Sequence, residues 1–265
     1  MSVLDRNNVV VKGDAEHTLM FAHGFGCDQN MWRLVAPHFE DSFRIILFDH
    51  VGAGKSDLRA WSAEKYASLQ GYAEDVVEIL KALELGPVTF IGHSVSAMIG
   101  VLAANSAPSL FKRLVLVGPS PRYINDADYF GGFSSAQIEE MLEFLDNNHM
   151  GWSASMAPVI MGNPDKPELS DELNNSFCRT DPEIARHFAR TTFTSDNRAD
   201  LSDVSHPTLI LQCKEDIIAP ASVGSYVHQS IAGSQLVTLD ATGHCPNLSA
   251  PEATTKAIRQ FLQER

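Results

Sequence analysis

Basic charge is scarce in this 265-residue chain: 20 Lys and Arg stand against 33 Asp and Glu, a net charge of −13 with histidine neutral. Nucleic-acid backbones and anionic membranes repel such a surface, so neither is expected as a partner. Cysteine is sparse too. Cys27, Cys178, Cys213 and Cys245 are widely spaced with no Cys-x-x-Cys pair, which argues against a zinc knuckle and a disulfide framework and for buried, reduced thiols. No run approaches the roughly 18 apolar residues of a membrane span, and the first eight residues carry charges where a secretion signal needs an apolar stretch. A cytoplasmic protein is expected. His and carboxylate residues nowhere fall at metal-ligand spacing, so no metal is expected.

What the chain does have is 44% hydrophobic and 20% charged residues, the mixture of a foldable globular protein. Its length, set against about 150 residues per domain, fits either two domains or one with a large insertion. Apolar runs at 18–22, 44–48, 88–91, 114–117, 208–211 and 236–239 are nearly continuous rather than alternating, as strands buried on both faces of a parallel sheet require. Between them Leu69, Tyr72, Ala73, Val76, Val77, Leu80 and Leu83 recur at helical period, and 251–262 opens with Pro and Glu in the manner of a helix start. Alternation of strand and helix predicts an α/β fold with a mostly parallel sheet flanked by helices. From 121 to 195 no strand-like run occurs, only helical patterns broken by Gly and Pro. The expected division is therefore a core of 1–120 and 196–265 with a helical lid, 121–195, inserted in it.

The sharpest local feature is Gly92-His93-Ser94-Val95-Ser96, where a strand runs directly into a helix. A nucleophile elbow has this context: the tight turn lifts the serine hydroxyl above the sheet edge and aims the following N–H at a developing oxyanion. Ser96 stands where a second glycine is usual. Ser94 as a plain helix N-cap is the competing reading. His23-Gly24-Phe25-Gly26 follows the first strand, where a second oxyanion donor, the Phe25 N–H, would join that of Val95; an ordinary glycine turn is the alternative. A serine needs a base, and the base needs an orienting acceptor. Asp216 and His244 each follow a strand, and the order Ser94, Asp216, His244 is that of the α/β-hydrolases. Glu215 and Asp240 compete with Asp216 as the acid, while His23 and His93 read as neighbours of the site. Asp49 with Gly52-Ala53-Gly54-Lys55-Ser56 lacks the first glycine of a phosphate-binding loop and reads as a structural turn. Cys245, beside the base rather than at the elbow, reads as a buried thiol.

His23-Gly24-Phe25-Gly26-Cys27-Asp28-Gln29, Gly92 through Gly100, Tyr129-Phe130-Gly131-Gly132-Phe133 and Thr242-Gly243-His244 together resemble the family of the bacterial stress-pathway regulator RsbQ and the plant karrikin and strigolactone receptors. The Ser-Val-Ser elbow is typical of the plant branch. The resemblance implies an α/β-hydrolase fold with a four-helix lid over a hydrophobic pocket. It implies Ser94 as nucleophile, His244 as base, Asp216 as its orienter, Phe25 and Val95 as the oxyanion donors, and Phe133, Trp152, Met156, Phe193 and Ile218 as pocket lining. For the lining residues, ordinary lid or core packing remains open. The implied activity is serine-ester or lactone hydrolysis through an acyl-enzyme, without an organic cofactor, on a small hydrophobic ester or butenolide-like ligand. The implied alternative is a ligand-responsive signalling protein that hydrolyses slowly and binds a protein partner through its lid.

Overall fold

In the computed structural model, which describes residues 1–263, seven strands form one sheet: β1 (Val10–Lys12), β2 (Thr18–Ala22), β3 (Arg44–Leu47), β4 (Val88–His93), β5 (Phe111–Val117), β6 (Thr208–Glu215) and β7 (Gln235–Thr242). Their order is β1-β3-β2-β4-β5-β6-β7, parallel throughout except for β1. Six strands coincide with the apolar runs. The antiparallel β1 does not, because its three residues are exposed at the sheet edge and carry no buried pattern.

Ten helices accompany the strands in the described residues: α1 (Val3–Arg6), α2 (Leu69–Leu83), α3 (Val95–Ser106), α4 (Ser135–Asn147), α5 (His149–Met161), α6 (Pro167–Arg179), α7 (Pro182–Phe193), α8 (Ala221–Ser230), α9 (Pro246–Ser249) and α10 (Pro251–Gln263). Successive strand residues point to opposite faces. Leu19, Phe21, Ile91, Val115 and Leu209 pack with Trp32, Phe39 and, on α10, Ile258 and Phe261. Met20, Phe90, Leu114 and Ile210 pack on the other face with α2, α3 and Val227 of α8. β2, β4, β5 and β6, buried over most of their length, have no polar face to show and so read as unbroken apolar runs, whereas β7 at the sheet edge is apolar in sequence though only Leu239 is buried.

Helices α4 to α7 all lie between β5 and β6. Each begins at a sequence signal: a capping box between Ser134 and Gln137, the Asn148 side chain on the Gly151 N–H, Pro167 in the first turn, and Asp181 capping a helix that opens with Pro182. The stretch leaves and rejoins the core at nearly one point. The Asn197 N–H donates to the Pro121 carbonyl at 2.7 Å, and Arg122 pairs with Asp196 at 2.7 Å.

The sheet changes direction of winding between β2 and β4. β3 lies outside β2, whereas the chain after β4 continues on the other side. Loops diverge at the carboxyl ends of such a pair and leave a crevice. Ala22 is in register with Gly92, so the loop after β2 and the turn after β4 open side by side.

Phe21 is fully buried on β2 and packs against Trp32 and Phe39, with ring centroids 5.1 and 6.4 Å away. Phe21→Ala is expected to lower unfolding free energy by about 3–5 kcal/mol, read from urea denaturation; a loss below about 1 kcal/mol would show that the face collapses to fill the gap.

Candidate active site

The turn after β4 is strained. Ser94 sits at φ +57°, ψ −123°, a conformation that costs a non-glycine residue about 1–3 kcal/mol and persists only where its surroundings enforce it. Its own N–H donates to the Val117 carbonyl at 2.8 Å. A Cβ at Gly92 would lie 2.4 Å from the Ser96 carbonyl oxygen, so only glycine lets the strand and α3 approach this closely. Ser94 makes no capping hydrogen bond, which removes the helix-cap reading. Its hydroxyl lies instead 2.7 Å from His244 Nε2.

His244 Nδ1 is 2.7 Å from Asp216 Oδ2. A carboxylate oxygen accepts, so Nδ1 carries the proton and Nε2 presents its lone pair to the Ser94 hydroxyl. The other oxygen of Asp216 accepts the N–H groups of Ile218 and Ala219 at 2.8 and 3.0 Å. Burial pushes the Asp216 pKa up, but the facing His244, through charge and hydrogen bond, and the two backbone donors outweigh it, and the net displacement is downward. The His244 backbone is tied to the inserted helices through its N–H on the Ile160 carbonyl at 2.9 Å.

The competing acids are elsewhere. Glu215 is exposed and accepts from the Thr242 hydroxyl at 3.3 Å, and Asp240 faces solvent near Lys214. His93 Nε2 donates to the His244 carbonyl at 2.7 Å, and burial, reinforced by His244, holds its pKa down to about 3. Asp49 is held in its turn by Asn8 Nδ2 and by the N–H groups of Gln29 and Lys55, at 2.7, 2.9 and 2.9 Å. All four cysteines are free. Burial pushes the Cys27 thiol up to about 12 and the Cys245 thiol well above its usual range, so neither is a thiolate nucleophile. Among the described residues no group of three His, Cys, Asp or Glu is placed to hold a metal ion.

Val95 is the first residue of α3, where a helix leaves N–H groups without an internal acceptor. The Gly24–Phe25 peptide abuts the turn: a Cβ at Gly24 would lie 3.4 Å from Ser94 Cβ. A cavity opens above Ser94 and His244. Trp152, Met156, Phe193 and Ile218 line it, as does Phe25. Phe133 does not, contrary to expectation: its N–H and C=O bond to Tyr123 and Asn125, which holds it in a bridge with Ile124 outside the cavity. Cys27, Tyr123, Ile160, Leu173, Phe177, Thr192 and Cys245 also line the cavity and were missed. Leu169, Leu173 and Phe177 do recur at spacing four, but that spacing marks a buried helix face without saying whether it meets core or cavity. The Phe25 ring stands 5.7–6.0 Å from the rings of Trp152, Phe177, Phe188 and Phe193, from three inserted helices. Trp152 Nε1 and Thr192 Oγ1 are buried without a hydrogen-bond partner in the protein.

Three histidines around the site are held neutral by burial: His23, His50 and His93. Their folded pKa values lie below the unfolded value of about 6.5, so below that pH the unfolded chain takes up protons that the folded one refuses. Their contribution is complete above about pH 6.5 and erodes as pH falls, by up to about 1.4 kcal/mol per pH unit for each histidine. For His93 this continues to about pH 3. The melting temperature is therefore expected to drop between pH 7 and pH 5; a constant value over that interval would contradict neutral burial of these rings.

A family model described as alpha/beta hydrolase fold matches residues 17–251. A karrikin insensitive 2 receptor of Petunia hybrida is 38% identical over 261 residues, 98% of this chain and 97% of that protein. The strigolactone esterase of Arabidopsis thaliana is 37% identical over 262 residues, 98% of each chain. Among solved structures, a hydrolase from Oleispira antarctica superposes with a TM-score of 0.97 at 44% identity, covering 99% of this chain and 97% of that one. With the family model spanning most of the chain and these relatives matching it nearly end to end, the protein belongs to the alpha/beta hydrolase family, in the group of the karrikin receptors and strigolactone esterases.

Proposed function

We propose that the protein is a serine hydrolase that cleaves a small hydrophobic ester or lactone through an acyl-enzyme on Ser94. The observation that carries this reading is the unbroken chain from Asp216 to His244 to Ser94, each link 2.7 Å, at the floor of the cavity. In the first step Ser94 Oγ attacks the carbonyl carbon while His244 Nε2 takes its proton. The oxygen gains negative charge, which the N–H groups of Phe25 and Val95 receive; one such donor is typically worth about a hundred- to thousand-fold in rate. The intermediate collapses, the leaving oxygen takes the proton from His244, and the acyl group stays on Ser94. Water, deprotonated by His244, then releases the acid and restores the serine. Asp216 keeps the imidazole in the working tautomer and stabilises its charged form. The aromatic lining of the cavity, with Ser94 and His244 at one end, favours an apolar ligand with one polar end, a combination suited to a butenolide. Residues 121–195 serve as the lid. Four free thiols suit a reducing compartment, and we place the protein in the cytoplasm; no helix among the described residues is long and apolar enough to cross a membrane.

Ser94→Ala is expected to abolish turnover of p-nitrophenyl acetate with an unchanged melting profile, and Asp216→Asn to lower kcat by about four orders of magnitude through the wrong tautomer. Hydrolysis by Ser94→Ala at the wild-type rate would overturn the reading.

A second reading, ligand-responsive signalling with slow hydrolysis and a protein partner at the lid, is favoured by the packing of Phe25. An occupant beside that residue presses directly on rings from α5, α6 and α7, while Phe144, Met150 and Val159 stand exposed on the outer surface of α4 and α5. Saturating Ser94→Ala with an enol-ether butenolide is then expected to change amide hydrogen exchange across 135–193. Identical exchange with and without ligand counts against it.

A further inference from the structure

Ser96 occupies the elbow position at which the chain departs from the common glycine, and it is completely buried. Its hydroxyl donates to the His23 carbonyl at 2.5 Å. A hydroxyl has one hydrogen, so toward His50 Nε2, 2.7 Å away, Ser96 Oγ accepts, and His50 carries its proton on Nε2. The backbone N–H of His50 in turn donates to His23 Nε2 at 3.1 Å. That leaves the His23 proton on Nδ1, from which it goes to the Gly24 carbonyl at 2.9 Å. The four bonds form one neutral, directed circuit with every tautomer determined by its neighbour.

The circuit ends on a particular peptide. The Gly24 carbonyl and the Phe25 N–H belong to one planar trans unit and point in opposite directions, so holding the carbonyl sets the direction of the N–H. A carbonyl that accepts a hydrogen bond also polarises its peptide, which makes the N–H a stronger donor. We propose that Ser96, acting through His50 and His23, is a positioning residue that aims the Phe25 N–H at the oxyanion. With glycine at 96, His50 Nε2–H and the His23 carbonyl would each lose a buried partner, and the His23 ring that bonds the Gly24 carbonyl would lose part of its support, leaving the Cys27 N–H at 3.3 Å as the other hold on that carbonyl. The inference rests on the serine-hydrolase reading for its kinetic consequence, though not for the geometry of the peptide.

The test is Ser96→Ala in the full chain, with melting temperature recorded to confirm folding. For p-nitrophenyl acetate, kcat is expected to fall about 10- to 100-fold with KM within about twofold, a fraction of the loss that follows deletion of a whole oxyanion donor. The Phe25 amide is expected to shift in the ¹H–¹⁵N spectrum. Either a kcat within twofold of wild type or an unmoved Phe25 amide overturns the proposal. Should Ser96→Ala fail to fold, His50→Phe keeps the ring volume beside Phe48, Tyr72 and Phe188 while deleting the Nε2–H, with the same two outcomes expected. Hydrolysis that survives in Ser94→Ala strikes the hydrolase reading instead, and the Phe25 amide then decides the relay alone.

Discussion

The parallel pairing of β2 with β4, with Ala22 opposite Gly92, is the constraint on which the site depends. It places two loops of different character at one crevice: a glycine-containing turn whose backbone is available and a strained turn whose side chain is available. The strain at Ser94 is sustained because both flanks are immobile. Its N–H is bonded to β5, Gly92 is pressed against the first turn of α3, and the helix itself is buried almost all round. The free energy that holds the serine in an uncommon conformation comes from the sheet and the helix behind it rather than from the turn.

The inserted helices meet this crevice through rings more than through charge. Four aromatic neighbours enclose the Phe25 side chain, while the same residue's backbone belongs to the loop after β2. A Ser176 hydroxyl bond to the Gly26 carbonyl at 2.7 Å adds a polar tie next to it. The exposed pair between Arg33 and Glu172, although bidentate at 2.6 and 2.7 Å, contributes little by comparison, because solvent screens it and two long side chains lose freedom in forming it. Ring packing therefore ties the inserted helices to the loop after β2.

Legibility from sequence follows burial. Strands covered on both faces announce themselves as apolar runs, whereas β1, short and exposed, carries no such signal. Glu215 and Asp216 are adjacent at the end of one strand; position after the strand favours Asp216, but it does not show what turns that carboxylate toward the histidine. That falls to the backbone, which turns after Glu215 so that the N–H groups of Ile218 and Ala219 close on the Asp216 carboxylate. Phe133 and Phe177 show the same limit. Both are aromatic residues in the long stretch between β5 and β6, but a local bridge withdraws the first while the face of α6 delivers the second to the cavity.

The sequence by itself determined the α/β alternation, the long helical stretch between the fifth and sixth parallel strands, and the order of serine, acid and histidine, because each is written in local periodicity or spacing. Only the tertiary structure decided how the Asp216 carboxylate is turned to the histidine, which aromatic rings enclose the cavity, and that Ser96 is bonded to the loop after β2 rather than merely small. Those outcomes depend on contacts between residues as much as 168 positions apart, and such contacts are set by strand register and helix packing, which no local pattern encodes.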